Sequence, residues 1–453
     1  MNIAAFIDAL DWSKRGSFDI FCQSLDPAWI EAALSATGTA SVRRRKLPAE
    51  RVVWIVLGMG LLADRRIGAV VSHLGLAWDS GTPFLPQGPP TESAVVQALD
   101  RLGPEPLRWL FEQSAAHWDE GAPGVKRWRG LRLKALDGSS LRVADSFENA
   151  EAFGVPRSGR GAGAYPQLRV VFLLDVDTRL VCGANLGPWT TSEKALAAPL
   201  WDSLSDDTLL IVDRNYVDYA LLYRHGQRGG NRHWLLRAKS NLRWRHVRQL
   251  GPEDELVELT LSPQSRKADP TLPKTMTVRA IRYQRRGFRP QTLLTSLLDP
   301  KQYPAAEVAA LYHERWEIEL GYDEMKTHTL ERKEALLRSQ SPQRVLQEAW
   351  GLIVGYNLIR IEMAQVAVAV GLAPNRISFR GALLLIRNAW LSAWLVAPAH
   401  LPALLGTLRT ELALLVLPQR RDRAYRREVK IKMSNFPKKA RTHHVAGSRA
   451  SLT

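Results

Sequence analysis

Six residues stand at spacings that could do chemistry on a phosphate. Tyr312, Arg315, Glu319 and Lys326 occupy offsets 0, 3, 7 and 14 of YHERWEIELGYDEMK (312–326). At roughly 100° per residue these fall at about 0°, 300°, 340° and 320° around a helix, one narrow stripe. There a phenol and two cations flank a single carboxylate. Leu311, Ile318, Tyr322 and Met325 form an adjacent apolar stripe able to pack into a core. Two further acids, Asp137 and Asp213, close the strand-like runs LRLKALDG (131–138) and TLLIVD (208–213). Sheets with parallel strands present active groups at such carboxyl edges. Three carboxylates meeting there cannot all stay ionised without a counter-charge. Mg²⁺ or Mn²⁺ suits their hard oxygens, and two such ions about 4 Å apart can activate a water or a 3′-hydroxyl and stabilise the leaving oxygen of a phosphodiester. Arg315 and Lys326 would then hold the phosphates being cut. A plainer alternative stays open: a solvated helix face with i,i+4 charge pairs, and DG as a hairpin corner.

The elements that must position these residues follow from the hydrophobic pattern. Residues 1–120 are predicted helical, with apolar periodicity in 28–36 and 50–74 and a further helix near 89–103 capped by Thr91 or Ser93. SVRRRKLP (41–48) carries Arg43, Arg44 and Arg45, a solvated loop or a DNA contact. After a Gly/Pro-rich linker (121–130) the pattern turns strand-like: 131–138 into a DG turn, then 141–145, 167–176 and 179–187. A helix over 192–204, a doubly buried strand at 208–213, a helix and a strand at 233–239 complete the predicted α/β fold, a mixed sheet covered by helices. Strands at 255–262, 275–284 and 291–299 read as a β-rich insertion over 241–304. SGRGAGAYP (158–166) reads as a mobile loop. Segments 342–372 and 376–416 are apolar and helical, and 418–453 is a basic tail.

Composition limits the partners. A net charge of +17 over 453 residues points to a polyanion, nucleic acid before an anionic membrane. Two cysteines, Cys22 and Cys182, exclude a thiolate zinc site and a disulfide framework and suit a reducing cytoplasm. The opening MNIAAFIDALDWSKR has no continuous apolar core, so no secretory leader is expected. The 52–63 run is too short to span a bilayer, and 382–405 is interrupted by Arg387, Pro398 and His400. No GK[ST] follows the Gly-rich 158–166, so no nucleotide cofactor is expected.

The Tyr312, Arg315, Glu319, Lys326 spacing resembles the signature of the insertion sequence 4 family of bacterial DDE transposases in every position. LKALDGSSLRVADSFENAEAFG (133–154) and LLIVDRNYVDYALL (209–222) are similar to the family's first- and second-aspartate regions, and LRAKSN (236–241) and KIKMSNFPKK (430–439) to further segments. The resemblance implies a ribonuclease-H-like core in two parts, 129–240 and 305–345, with Asp137, Asp213 and Glu319 as the metal-binding triad. It implies a DNA-binding helical domain over 1–120 and a helical C-terminal region over 346–417. Tyr312, Arg315 and Lys326 would contact phosphates of transposon ends. Trp244, in the insertion, would stack near a flipped base if cleavage passes through a hairpin. The implied partner is double-stranded DNA, ends and target, engaged by a homodimer in a synaptic complex near the bacterial nucleoid. A nuclease on the same fold without strand transfer, or a domesticated DNA-binding protein, are the rival expectations.

Overall fold

The computed structural model describes residues 24–41, 47–73, 90–158, 161–216, 218–284, 289–330, 336–393 and 398–418. The candidate contacts Arg43, Arg44 and Arg45 and nearly all of the basic tail lie outside these residues. Short polar side chains open several helices by accepting from otherwise free N–H groups. Asp26 accepts from Ala28 N (2.8 Å) ahead of α1, Pro27–Ala36. The long apolar run that follows splits into α2 (Ala49–Leu61) and α3 (Ile67–His73). Thr91 caps α4 (Glu92–Leu102) through Ala94 N, and Gly103, with φ at 67°, ends it. α5 (Glu105–Gly121) then leads to the sheet.

The strands are β1 (Arg127–Trp128), β2 (Leu131–Val143), then, after α6 (Phe147–Phe153), a two-stranded hairpin of β3 (Arg157–Ser158) and β4 (Gly161–Ala162). The segment read as a loop over 158–166 therefore holds part of a small ladder. β5 (Gln167–Asp175), β6 (Val181–Pro188), α7 (Glu193–Asp202), β7 (Thr208–Val212), α8 (Tyr219–Gln227) and β8 (Arg232–Arg237) complete the core. Their order is β6-β5-β2-β7-β8, antiparallel through β2 and parallel from β2 to β8. This is the ribonuclease-H-like arrangement.

One expectation is corrected here. Asp137–Gly138 does not turn a corner: β2 runs straight through it. Residues Asp137 to Arg142 keep pairing with Phe172 to Gln167 of β5, and that ladder overrides the turn preference of DG. What ends beside Asp137 is the neighbouring strand, because β7 stops at Val212, the partner of Leu136.

The insertion continues the same sheet. β9 (Arg245–Gly251), β10 (Asp254–Thr260), α9 (Pro263–Ala268), β11 (Thr275–Tyr283) and β12 (Gln291–Thr295) run β8-β12-β11-β10-β9, because Leu293–Thr295 pair with Arg237–Leu235. α10 (Ala305–Leu311) follows. A 3-10 turn (Tyr312–Arg315), α11 (Trp316–Asp323) and a π-helical turn (Glu324–Thr329) then run on without a break. β13 (Leu336–Leu337) adds to β2 in parallel, and α12 (Pro342–Ala369), α13 (Phe379–Ala393) and α14 (Leu401–Ala413) close the chain.

Alternation along the strands loads both faces of the sheet. Ala135, Phe172 and Leu174 join one core with the N-terminal helices and α12, whereas Leu136, Val171 and Leu173 join another with Trp201 of α7 and Leu222 of α8. α12 is long and apolar enough to cross a bilayer, but 83% of its most apolar window is buried inside the fold. α2 crosses it at two glycines: a Cβ on Gly60 would stand 2.6 Å from Gly351 O, and one on Gly351 2.7 Å from Val56 O.

Candidate active site

The parallel register fixes the two aspartates. Leu136 pairs with Val212, so the next residues, Asp137 and Asp213, sit side by side where the β2–β7 ladder ends. Asp137 stays in β2 and its carboxylate accepts from Gly138 N (2.8 Å). Asp213 leaves the sheet into a 3-10 turn, Arg214–Tyr216, whose Tyr216 N–H donates to Asp213 O (3.0 Å). Burial pushes the Asp137 carboxyl up to about 6. Repulsion from Asp213 and Glu193 contributes to that rise, against the opposing pull of the Gly138 N–H and Arg315. The edge is short of positive charge.

The stretch 312–329 crosses this edge in three helical pitches. The 3-10 turn overwinds Tyr312–Arg315, and the π turn underwinds Glu324–Thr329, a distortion common at functional sites. The expected stripe survives at its ends. Arg315 bonds Glu319 four residues on (Nη2–Oε1, 2.7 Å) and reaches Asp137 (Nη1–Oδ2, 3.8 Å), so one guanidinium spans two of the three acids. Lys326 donates to Ser139 Oγ on β2, and its ammonium lies 5.7 Å from the Tyr322 ring centroid. Burial lowers the Lys326 pKa, against the pull of Asp137. Tyr312 is buried, and that burial pushes its phenol up to about 12. Tyr322, expected only as core, also locks the helix to the strand. Its ring stacks on Phe172 at 4.9 Å, and its hydroxyl donates to Asp137 O (2.7 Å) and accepts from Phe172 N (3.2 Å).

The opposite face is anchored by charge. On the same wheel Glu317 and Glu324 fall at roughly 130°, about half a turn from the stripe. Arg179, left-handed (φ 57°) between β5 and β6, bonds Glu317 (2.6 Å) and Glu324 (2.5 Å). Arg360 of α12 also pairs with Glu324, and Tyr356 donates to it (2.9 Å). These partners are almost fully buried, so the helix is gripped from behind while Glu319 faces the edge.

The donor set fits a hard divalent cation. It offers oxygen-only carboxylates on a charge-deficient edge, with a guanidinium already bridging two of them. Among the described residues, no three acids stand in a cation-holding group as they are. Trp244 is not brought to this edge. It lies just before β9, half-buried, packs against the second core and donates to Glu255 (3.3 Å). Sequence reasoning missed Ser139, Tyr216 and Glu193. Glycine after Asp137 was the available signal, since a Cβ there would strike Glu193 and Tyr216.

Residues 15–112 match the family described as insertion element 4 transposase N-terminal, and residues 128–358 the transposase DDE domain. The chain is 35% identical over 414 residues to the transposase InsG for insertion sequence element IS4 of Escherichia coli K12, covering 91% of this chain and 92% of that protein. It is 33% identical over 268 residues to the putative transposase InsZ of the same organism, covering 56% and 82% respectively. A cryo-electron-microscopy structure of a piggyBac transposase synaptic complex with hairpin DNA overlaps 90% of this chain and 88% of its own at a TM-score of 0.42 and 12% identity.

Proposed function

From the premise that the chain belongs to the insertion element 4 family and is a DDE transposase, we propose that Asp137, Asp213 and Glu319 hold its divalent cations. Transposases of this class depend on divalent metal. Two ions of Mg²⁺ or Mn²⁺ are the reading favoured here. The observation that carries it is the pairing of Leu136 with Val212, which makes the two aspartates neighbours at the foot of the helix that bears Glu319.

When bound, the cations supply the charge that activates an attacking hydroxyl and stabilises the leaving oxygen of an in-line displacement. The chain's own residues do the rest. Asp137, whose carboxyl pKa burial raises, would be held as the carboxylate by a cation's charge. Arg315 swings from Glu319 to a DNA phosphate, freeing that carboxylate for metal. Lys326, held at Ser139, offers a second phosphate contact, and Tyr312 a third. Arg43, Arg44, Arg45 and the basic tail add sequence-independent attraction for DNA. Trp244 stacks on an unpaired base only if the β9 edge moves toward the cleaved end. The DNA substrates are the element's ends and its target, brought together by a homodimer in the bacterial cytoplasm.

Asp137→Asn, Asp213→Asn and Glu319→Gln should each abolish end cleavage in Mg²⁺ while sparing end binding. Cleavage by any purified single variant would remove that residue from the triad. Arg315→Ala and Lys326→Ala should weaken end engagement, and unchanged cleavage by both would return that helix face to a solvated surface. Joined products in a plasmid assay separate a transposase from a nuclease that only cuts.

A further inference from the structure

Gly138 explains why a fourth acid reaches this edge. A Cβ built there would stand 2.7 Å from Glu193 Cδ and 2.8 Å from both Glu193 Cγ and Tyr216 Oη. Only a residue without a side chain lets the Glu193 carboxyl lie over the backbone next to Asp137. Glu193 opens α7, whose N-terminus is capped by Ser192 Oγ accepting from Ala195 N (3.2 Å), and Asn185 of β6 ties that helix down through Leu196 O (2.7 Å). An acid in a first helical turn is favoured by the helix dipole wherever it points. That preference does not account for a carboxyl folded over Gly138.

The second observation is Tyr216. Its side chain is 3% exposed, and its buried hydroxyl lies beside the Glu193 carboxyl without completing a well-aligned hydrogen bond. The carboxylates of Asp137, Glu193 and Asp213 all act on it. A buried hydroxyl beside three carboxylates, with no completed hydrogen bond, has no evident purpose in holding the fold. It does have a purpose if one of those carboxylates must be turned toward a cation, with the phenol donating to the oxygen left over.

We propose that Glu193 is a fourth carboxylate of the divalent-cation site and that Tyr216 is the positioning residue that orients it. This rests on the triad reading above. It assigns the cation a ligand from a fourth element, the first turn of α7, besides the two strands and the catalytic helix.

The test is Mn²⁺ binding to the full chain, stripped with chelator and followed by the electron-paramagnetic-resonance signal of free Mn²⁺. Glu193→Gln should weaken binding about tenfold or more, and Tyr216→Phe by a similar or smaller factor, as loss of an outer partner does elsewhere. A folding role alone would leave the Mn²⁺ titration unmoved. Glu193→Asp, which keeps the charge and withdraws it by one methylene, should also bind more weakly, and it serves if the Gln variant does not fold. Wild-type Mn²⁺ affinity in either folded Glu193 variant overturns the proposal. Asp213→Asn in the same titration tells the two readings apart. If Asp213→Asn loses Mn²⁺ and the Glu193 variants do not, only the fourth ligand falls. If Asp213→Asn also binds normally, the triad falls with it.

Discussion

Asp137 is the group whose ionisation the fold resists, and that resistance can be measured without DNA. Burial raises its pKa from 3.8 to about 6, with Asp213 and Glu193 adding repulsion. Without metal, the folded protein holds a proton there more tightly than the unfolded chain does. Stability should therefore fall as pH rises from about 4 through about 6, then level off. Two units at about 1.4 kcal/mol each give ~3 kcal/mol above pH 7. The side chain is 23% exposed, and solvent screening brings the expectation to ~1–3 kcal/mol. Asp137→Asn removes the charge and keeps an acceptor for the Gly138 N–H. In chelator at pH 8 it should be more stable than wild type by that amount. The gap should shrink to about half by pH 5 and vanish below about pH 4. Urea unfolding midpoints read this directly, provided the slopes match. Added Mg²⁺ should reverse the order, since only the wild type offers the charged ligand. An Asn variant no more stable at pH 8, or a gap that ignores pH, would refute the claim that this carboxylate is held short of counter-charge.

Two other perturbations probe what holds the site. Arg179→Met removes the guanidinium shared by Glu317 and Glu324 and should cost about 3–5 kcal/mol in urea unfolding, because buried carboxylates lose a partner. A loss below about 1 kcal/mol would mean the catalytic helix is gripped by something else. Gly60→Ala sets a methyl 2.6 Å from the Gly351 carbonyl, backbone that cannot rotate away, and should destabilise by about 1–3 kcal/mol or more. A neutral result would mean the two helices cross less closely.

Much of this site was legible in the sequence, for physical reasons that differ by residue. TLLIVD announced a doubly buried strand because all five residues Thr208–Val212 are apolar or satisfied inside the sheet. The Arg315–Glu319 pair was legible because four residues of helix bring such side chains together, and the regular helix Trp316–Asp323 supplies most of that turn. Asp137 was misread as a turn because local preference for DG is visible in one strand, whereas the β5 ladder that overrides it lies some thirty residues away. How the β-rich insertion joins the sheet was hidden for the same reason: nothing local to 291–299 reveals that it pairs with β8. Glu193 was invisible because an acid at the start of a helix is ordinary, and only the bare backbone at Gly138 gives it somewhere to go.

The crossing of α2 with α12 has a consequence for how the protein is made. The face of α2 that meets α12 finds its seat only when Gly351 and its neighbours have been synthesised, roughly 290 residues after Gly60. At about 10 residues per second, that is on the order of half a minute during which a sticky N-terminal segment trails from the ribosome unsatisfied. A nascent chain in that interval is a natural client for chaperones, and a fragment cut short before residue 342 should precipitate rather than fold.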